Sequence, residues 1–124
     1  MMQAIKAFNE AEAHEGPAII IAYSPCINHG YSMDQAQIHA MNSVKSGYNT
    51  LFRYNPKEKN PMHVDSFEPI MDYKDFVQTE NRFAILEKLN KKNKSKLLKQ
   101  SEKDAVERRK TYKEKQTEGD QDKQ

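Results

Sequence analysis

Gly16-Pro17-Ala18-Ile19-Ile20-Ile21-Ala22-Tyr23-Ser24-Pro25-Cys26-Ile27-Asn28-His29-Gly30 is the stretch on which the fold turns. Its apolar part, residues 18–23, is too short for a helix and rich in β-branched side chains. Such a run reads as a strand buried on both faces, as in a parallel sheet. Gly16-Pro17 separates it from what precedes, and Ser24 to Gly30 forms a loop at its carboxyl end. Upstream, Ala4, Ile5, Ala7, Phe8 and Ala11 recur near helical spacing and predict a helix over residues 2–14. Downstream, Ser32 and Gln35 have capping-box spacing. Met33, Ala36, Ala40, Met41 and Val44 then make an apolar stripe, and Gly47 suits a left-handed helix end. Residues 49–54 read as a second strand, so strand, helix and strand predict a right-handed β-α-β unit.

Beyond it, Pro56, Pro61 and Pro69 exclude a helix from residues 55–72 and predict an irregular, extended segment whose Met62, Val64 and Phe67 need burial. A third helix is expected over residues 73–90, with Phe76, Val77, Phe83, Ala84 and Leu86 as its apolar side. Residues 91–116 favour helix by composition. There Leu98, Ala105 and Tyr112 recur every seventh residue, but Lys94, Ser101 and Arg108 beside them are polar, so no coiled-coil seam forms. The division predicted is residues 1–72 as part of an α/β domain, 73–116 as a helical extension and 117–124 as a disordered tail. A two-stranded β-α-β fragment leaves both sheet edges open. The fold class is therefore α/β but incomplete, a piece of a larger parallel-sheet domain.

The 124 residues are 31% charged and 36% hydrophobic, with a mean hydropathy of −1.00. No stretch approaches about 20 apolar residues, so a membrane span is not expected. The first residues, Met1 to Lys6, lack the basic flank and long apolar core of a signal peptide. Residues 1–85 hold 7 basic and 10 acidic side chains, whereas residues 86–124 hold 13 and 8. The interspersed acids make that tail read as a solvated helix face rather than a nucleic-acid interface.

Cys26 is the single cysteine, which excludes an internal disulfide and points to a reducing, cytoplasmic setting. A lone thiol is commonly a buried structural residue. A nucleophile would need a base and a lowered pKa, and His29 three positions on does not guarantee one. The four histidines, His14, His29, His39 and His63, form no zinc motif. His39 reads as a partly exposed surface residue. Arg53 and Arg82 read as members of structural ion pairs. No glycine-rich phosphate loop and no carboxylate pair suited to acid–base work stand out, so no catalytic residue is assigned.

Taken together, several of these segments resemble one family. Residues 16–30, Ser46-Gly47-Tyr48 with Leu51 to Pro56, Lys59-Asn60-Pro61 with Val64-Asp65-Ser66 and Glu68-Pro69, and Glu80-Asn81-Arg82-Phe83 with Leu86 look like consecutive motifs near the C-terminal end of pyruvate:ferredoxin (flavodoxin) oxidoreductases. The resemblance covers roughly residues 2–116 in order. It implies the C-terminal part of a thiamine-diphosphate-binding fold. It also implies oxidative decarboxylation of pyruvate to acetyl-coenzyme A, with electrons passed through 4Fe-4S clusters to ferredoxin or flavodoxin. The implied cofactors are a 4Fe-4S cluster and thiamine diphosphate with Mg2+. The implied partners are the remainder of the polypeptide and, in a complete homodimeric enzyme, pyruvate, coenzyme A and the electron carrier, with no nucleic acid and no membrane. By the resemblance, Cys26 is the distant fourth ligand of the cluster nearest the thiamine cofactor. Asn28, His29 or loop amides are candidates for tuning it. The other cysteines and the Gly-Asp-Gly loop that would hold magnesium and diphosphate are absent from this sequence. Alone, the chain is expected to hold no cofactor and to be inactive. The alternative is a small stand-alone α/β binding or assembly protein without a cluster.

Overall fold

The computed structural model describes residues 2–24 and 26–121, apart from the side chains at 87 and 119–121. Pro25, expected to fix the approach to Cys26, lies outside the described residues. The first helix, α1, spans Met2–Ala13, followed by coil and a single 3-10 turn at Ile27–His29. A second 3-10 turn at Met33–Gln35 leads into α2, Ala36–Lys45. Then come strands β1 (Phe52–Tyr54) and β2 (Met62–Val64) and helices α3 (Tyr73–Val77), α4 (Asn81–Leu89) and α5 (Lys94–Gln121).

The expected β-α-β unit does not form. Residues 18–23 are extended but belong to no strand, and Ile19 and Ile21 are 87% and 91% exposed. An apolar strand is stable only where sheet neighbours and covering helices take up both its faces. The described residues supply neither. The sheet that does form is antiparallel: β1 pairs with β2 in the register Phe52↔Val64, Arg53↔His63 and Tyr54↔Met62. A short connection allows an antiparallel pair, whereas a parallel one needs a long crossover. The proline-rich segment was read as irregular because prolines break ladders, yet here they bracket β2. Pro56 lies in the turn, Pro61 immediately precedes the strand and Pro69 follows it, so no ladder donor is lost. The architecture is helical with a small two-stranded sheet, compatible with an incomplete α/β fragment.

Two helix ends also differ from expectation. Ser32 precedes the 3-10 turn but makes no side-chain cap bond. Its hydroxyl, with Gln35, instead holds the Asp34 carboxyl below its ordinary range. The helix expected over 73–90 is broken at 78–80. There the Thr79 hydroxyl donates to the Phe76 carbonyl (2.6 Å), competing with the helical ladder, and Glu80 turns extended. Asp72 caps α3 by accepting from the amides of Lys74 (2.7 Å) and Asp75 (3.3 Å). Gly47 adopts the expected left-handed conformation, φ +73°, and a side chain there would strike Pro69.

The core is small. Tyr73, Phe76 and Val77 of α3 are buried with Ala105 of α5, and Tyr48, Met71, Phe83 and Leu98 pack around them. The seven-residue spacing of α5 therefore marks its docking seam: Leu98 and Ala105 meet the core, and the Tyr112 ring lies 4.7 Å from that of Phe52. Polar contacts fix the rest of α5. Tyr73 shares a hydrogen bond with Ser101 (2.7 Å), Arg109 donates to the Phe67 carbonyl (2.6 Å) and Gln116 accepts from the Val64 amide (3.0 Å). The helix includes residues 117–121 of the stretch expected to be disordered, and 122–124 lie outside the described residues. At the other end, Arg53 grips Asp65 with two bonds (2.8 and 2.9 Å) and also pairs with Glu10, tying α1 to the hairpin. Among the described residues no helix is long and apolar enough to cross a membrane.

Candidate functional site

Cys26 is exposed on the loop between the apolar segment and α2. Its carbonyl accepts from the His29 amide (3.0 Å), and the Ile27 carbonyl accepts from Gly30 (3.1 Å), closing a single tight turn. Gly30 ends that turn at φ +89° with its Cα against Asn81: a Cβ there would come within 2.3 Å of the Asn81 side chain. Only glycine meets both demands. Asn28 is exposed in the turn. His29 turns its Nδ1 toward Tyr31 (3.3 Å) and Tyr23 (3.5 Å), and its ring stacks on Tyr23 at 5.9 Å. His29 is thus engaged with tyrosines rather than arranged as a base for Cys26.

Behind the loop lies a buried polar cluster. Glu80, at the break between α3 and α4, is fully buried. Its Oε1 accepts from Tyr23 (3.1 Å) and from His39 Nε2 (3.0 Å), and its other oxygen pairs with Arg82. Burial by itself raises the pKa of a carboxyl, but the His39 hydrogen bond, the Arg82 charge and the Tyr23 hydroxyl outweigh it and hold Glu80 below the ordinary carboxylate range. The same burial and the Glu80 charge push the Tyr23 phenol up to about 12. His39, expected on the surface, is only 6% exposed; it sits between Tyr31, stacked at 3.9 Å, and Phe76 at 4.9 Å. Arg82 lies 5.4 Å from the ring centres of Tyr48 and Phe83 and spans the cluster to the core.

The three side chains His29, His39 and Glu80 each offer a ligand atom, all within 4.8 Å of one another. Two imidazoles and a carboxylate are a donor set suited to zinc. Glu80, however, already accepts from three partners, and the Arg82 guanidinium beside it opposes a dication. The geometry is that of a satisfied ion-pair network. Sequence reasoning placed Cys26 and Gly30 in this loop and read Arg82 as an ion-pair former. It assigned no role to Glu80, Tyr23 or Tyr31 and took His39 as exposed, because no periodicity signals a polar cluster assembled from four separate segments. Two concave surfaces lie elsewhere, one along α1 beside Asp65 and one between Tyr48 and α5, and neither includes Cys26.

Sequence comparison supplies the wider context. The chain is 41% identical over 115 residues to the pyruvate:ferredoxin oxidoreductase of Moorella thermoacetica, a match covering 90% of the chain and 10% of the relative. It is 44% identical over 117 residues to the pyruvate-flavodoxin oxidoreductase of Enterobacter agglomerans, again 90% of the chain and 10% of the relative. A pyruvate-flavodoxin oxidoreductase of Trichormus variabilis matches at 40% over 104 residues, covering 81% of the chain and 9% of the relative. No protein-family model matches. The relatives share one class, that of oxidoreductases. The chain belongs to the pyruvate:ferredoxin/flavodoxin oxidoreductase family as a segment of it. It spans about a tenth of the length of the relatives it matches.

Proposed function

We propose that this chain is the C-terminal part of the thiamine-diphosphate-binding region of a pyruvate:ferredoxin or flavodoxin oxidoreductase, and that it contributes Cys26 as one ligand of a 4Fe-4S cluster. The observation that carries the assignment is the identity of 41–44% over nine-tenths of the chain. A 4Fe-4S cluster takes four thiolates, and this chain has one cysteine. The chain therefore fits as one corner of such a site, with the remaining ligands in the rest of the polypeptide. The presentation of Cys26 agrees with this: the thiol is exposed, and it is flanked by Ile19, Ile21 and Ile27 at 87%, 91% and 71% exposure. Large apolar side chains this exposed, close together in sequence, suit a face that another element covers. The remainder of the oxidoreductase is that element in this reading, and it would turn residues 18–23 into the buried strand their composition demands.

When bound, the cluster would carry electrons singly from the site of pyruvate decarboxylation toward ferredoxin or flavodoxin. The part of this chain in that chemistry is to hold a thiolate at a defined place. Thiamine diphosphate, Mg2+, pyruvate and coenzyme A belong to segments outside this sequence, and the complete enzyme is a cytoplasmic homodimer in this proposal. The test is Cys26→Ala in the complete enzyme. The cluster nearest the thiamine cofactor should lose its electron-paramagnetic-resonance signal while the others keep theirs. Undiminished iron and an unchanged spectrum would refute the assignment.

A further inference from the structure

We infer that Glu80 is a positioning residue for Cys26: it holds Tyr23 on one side of the loop while its neighbour Asn81 meets the turn ending at Gly30 on the other, and the two latch the Cys26 loop to the start of α4. The consequence for a cluster rests on the ligand reading above; the latch itself rests on geometry alone. A metal ligand works only if something fixes its direction, and outer contacts ordinarily do so. Among the described residues, Ile19, Ile21 and Ile27 around this loop are largely exposed, so their packing does little to fix it. Polar and steric contacts on both flanks tie it to the rest of the chain. Three residues before Cys26, Tyr23 donates to Glu80 across 57 positions of sequence (3.1 Å). Three residues after it, His29 stacks on Tyr23 and is held by Tyr31. At the next residue, Gly30 closes on Asn81, the neighbour of Glu80. Both flanks thus converge on residues 80–81. The anchor is rigid in turn, since Glu80 is fully buried and clamped by His39 and Arg82. The Tyr23 bond requires a protonated phenol, which any tyrosine keeps above neutral pH, and partial desolvation with the Glu80 charge raises its pKa further.

Two variants test the latch. Tyr23→Phe removes one hydroxyl from a side chain that is 38% exposed, and Glu80→Gln keeps the shape while removing the charge. In the 124-residue chain, hydrogen exchange at the amides of His29 and Gly30 should accelerate about tenfold in Tyr23→Phe, the ratio expected for loss of one charge-assisted hydrogen bond, and by a smaller factor in Glu80→Gln, whose amide oxygen still accepts from Tyr23 without the charge. The hairpin amides of Asn55 and Asp65, bonded to Pro61 and Leu51, should not change. Unchanged exchange at His29 and Gly30 overturns the latch. Should Glu80→Gln also loosen the hairpin amides, Tyr23→Phe decides. In the complete enzyme, Tyr23→Phe should keep its iron yet shift the g-values and midpoint potential of the nearest cluster. A loosened loop with spectrum and potential unmoved reduces Glu80 to a structural residue and overturns its positioning role. Should Cys26→Ala retain that cluster, the ligand reading falls, and the exchange experiment still judges the latch.

Discussion

Residues 18–22 and the surroundings of Glu80 invert the usual arrangement of a folded chain. The first region is apolar and faces water, with Ile21 91% exposed; the second carries a carboxylate and is fully enclosed. Each is explained by its partners. Glu80 is buried because Tyr23, His39 and Arg82 meet both its oxygens, so its desolvation is offset inside the chain. The isoleucines are exposed because the described residues offer them no opposite face. The contrast separates what this segment can stabilise by itself, a polar latch and a core on α3 and α5, from what it leaves for another part of a protein to complete.

The largest effect expected is on the self-sufficient side. Phe76 is fully buried where the core meets the His39 ring, and Phe76→Ala should lower unfolding free energy by about 3–5 kcal/mol, measured by chemical denaturation. A small change there would mean that the core around α3 is not what holds the chain together. An intermediate effect is expected on acidification. The folded-state pKa of Glu80 is depressed, so its contribution is fully present above the unfolded carboxylate value of about 4.3 and is lost as pH falls through the lower folded value. Acid unfolding of the wild type should therefore steepen below about pH 4, and Glu80→Gln should flatten that dependence. An unaltered acid profile would remove Glu80 from the forces that hold the fold. The smallest effect belongs to the exposed side. Ile21→Ser should change the stability of this chain by less than about 0.5 kcal/mol, since that side chain is almost wholly exposed. In the complete enzyme the same substitution should cost about 2 kcal/mol, the worth of a buried isoleucine. Equal effects in both settings would end the distinction between the two regions.

The same contrast explains which parts of the fold were legible in the sequence. Helices α1, α2 and α5 declared themselves by spacing and composition, and Gly47 by its place after an apolar stripe. The apolar run at 18–23 was read as a strand from composition, but a strand is a relation between segments, and its partners are not among the described residues. β2 was hidden by its prolines, which turned out to frame it. The break at 78–80 was missed because no glycine or proline announces it; Thr79 bonds back to Phe76 and Glu80 turns inward instead. At the site, Cys26 and Gly30 were readable from the loop around them. Glu80 was visible only as part of the Glu80-Asn81-Arg82-Phe83 motif that carried the family resemblance. Its role depends on contacts with residues 57 and 41 positions away, which no local pattern encodes.

The seat of Ala105 against Phe76 and Val77 has a consequence for how the chain is made. During synthesis the anchor at residue 80 follows the Cys26 loop from the ribosome by more than fifty residues, and the helix that seals the core comes later still. Until then Tyr23 lacks its acceptor at residue 80, and Phe76 and Val77 lack the helix that covers them. The interval before α5 emerges is thus when the apolar face of α3 is most open to capture by a chaperone.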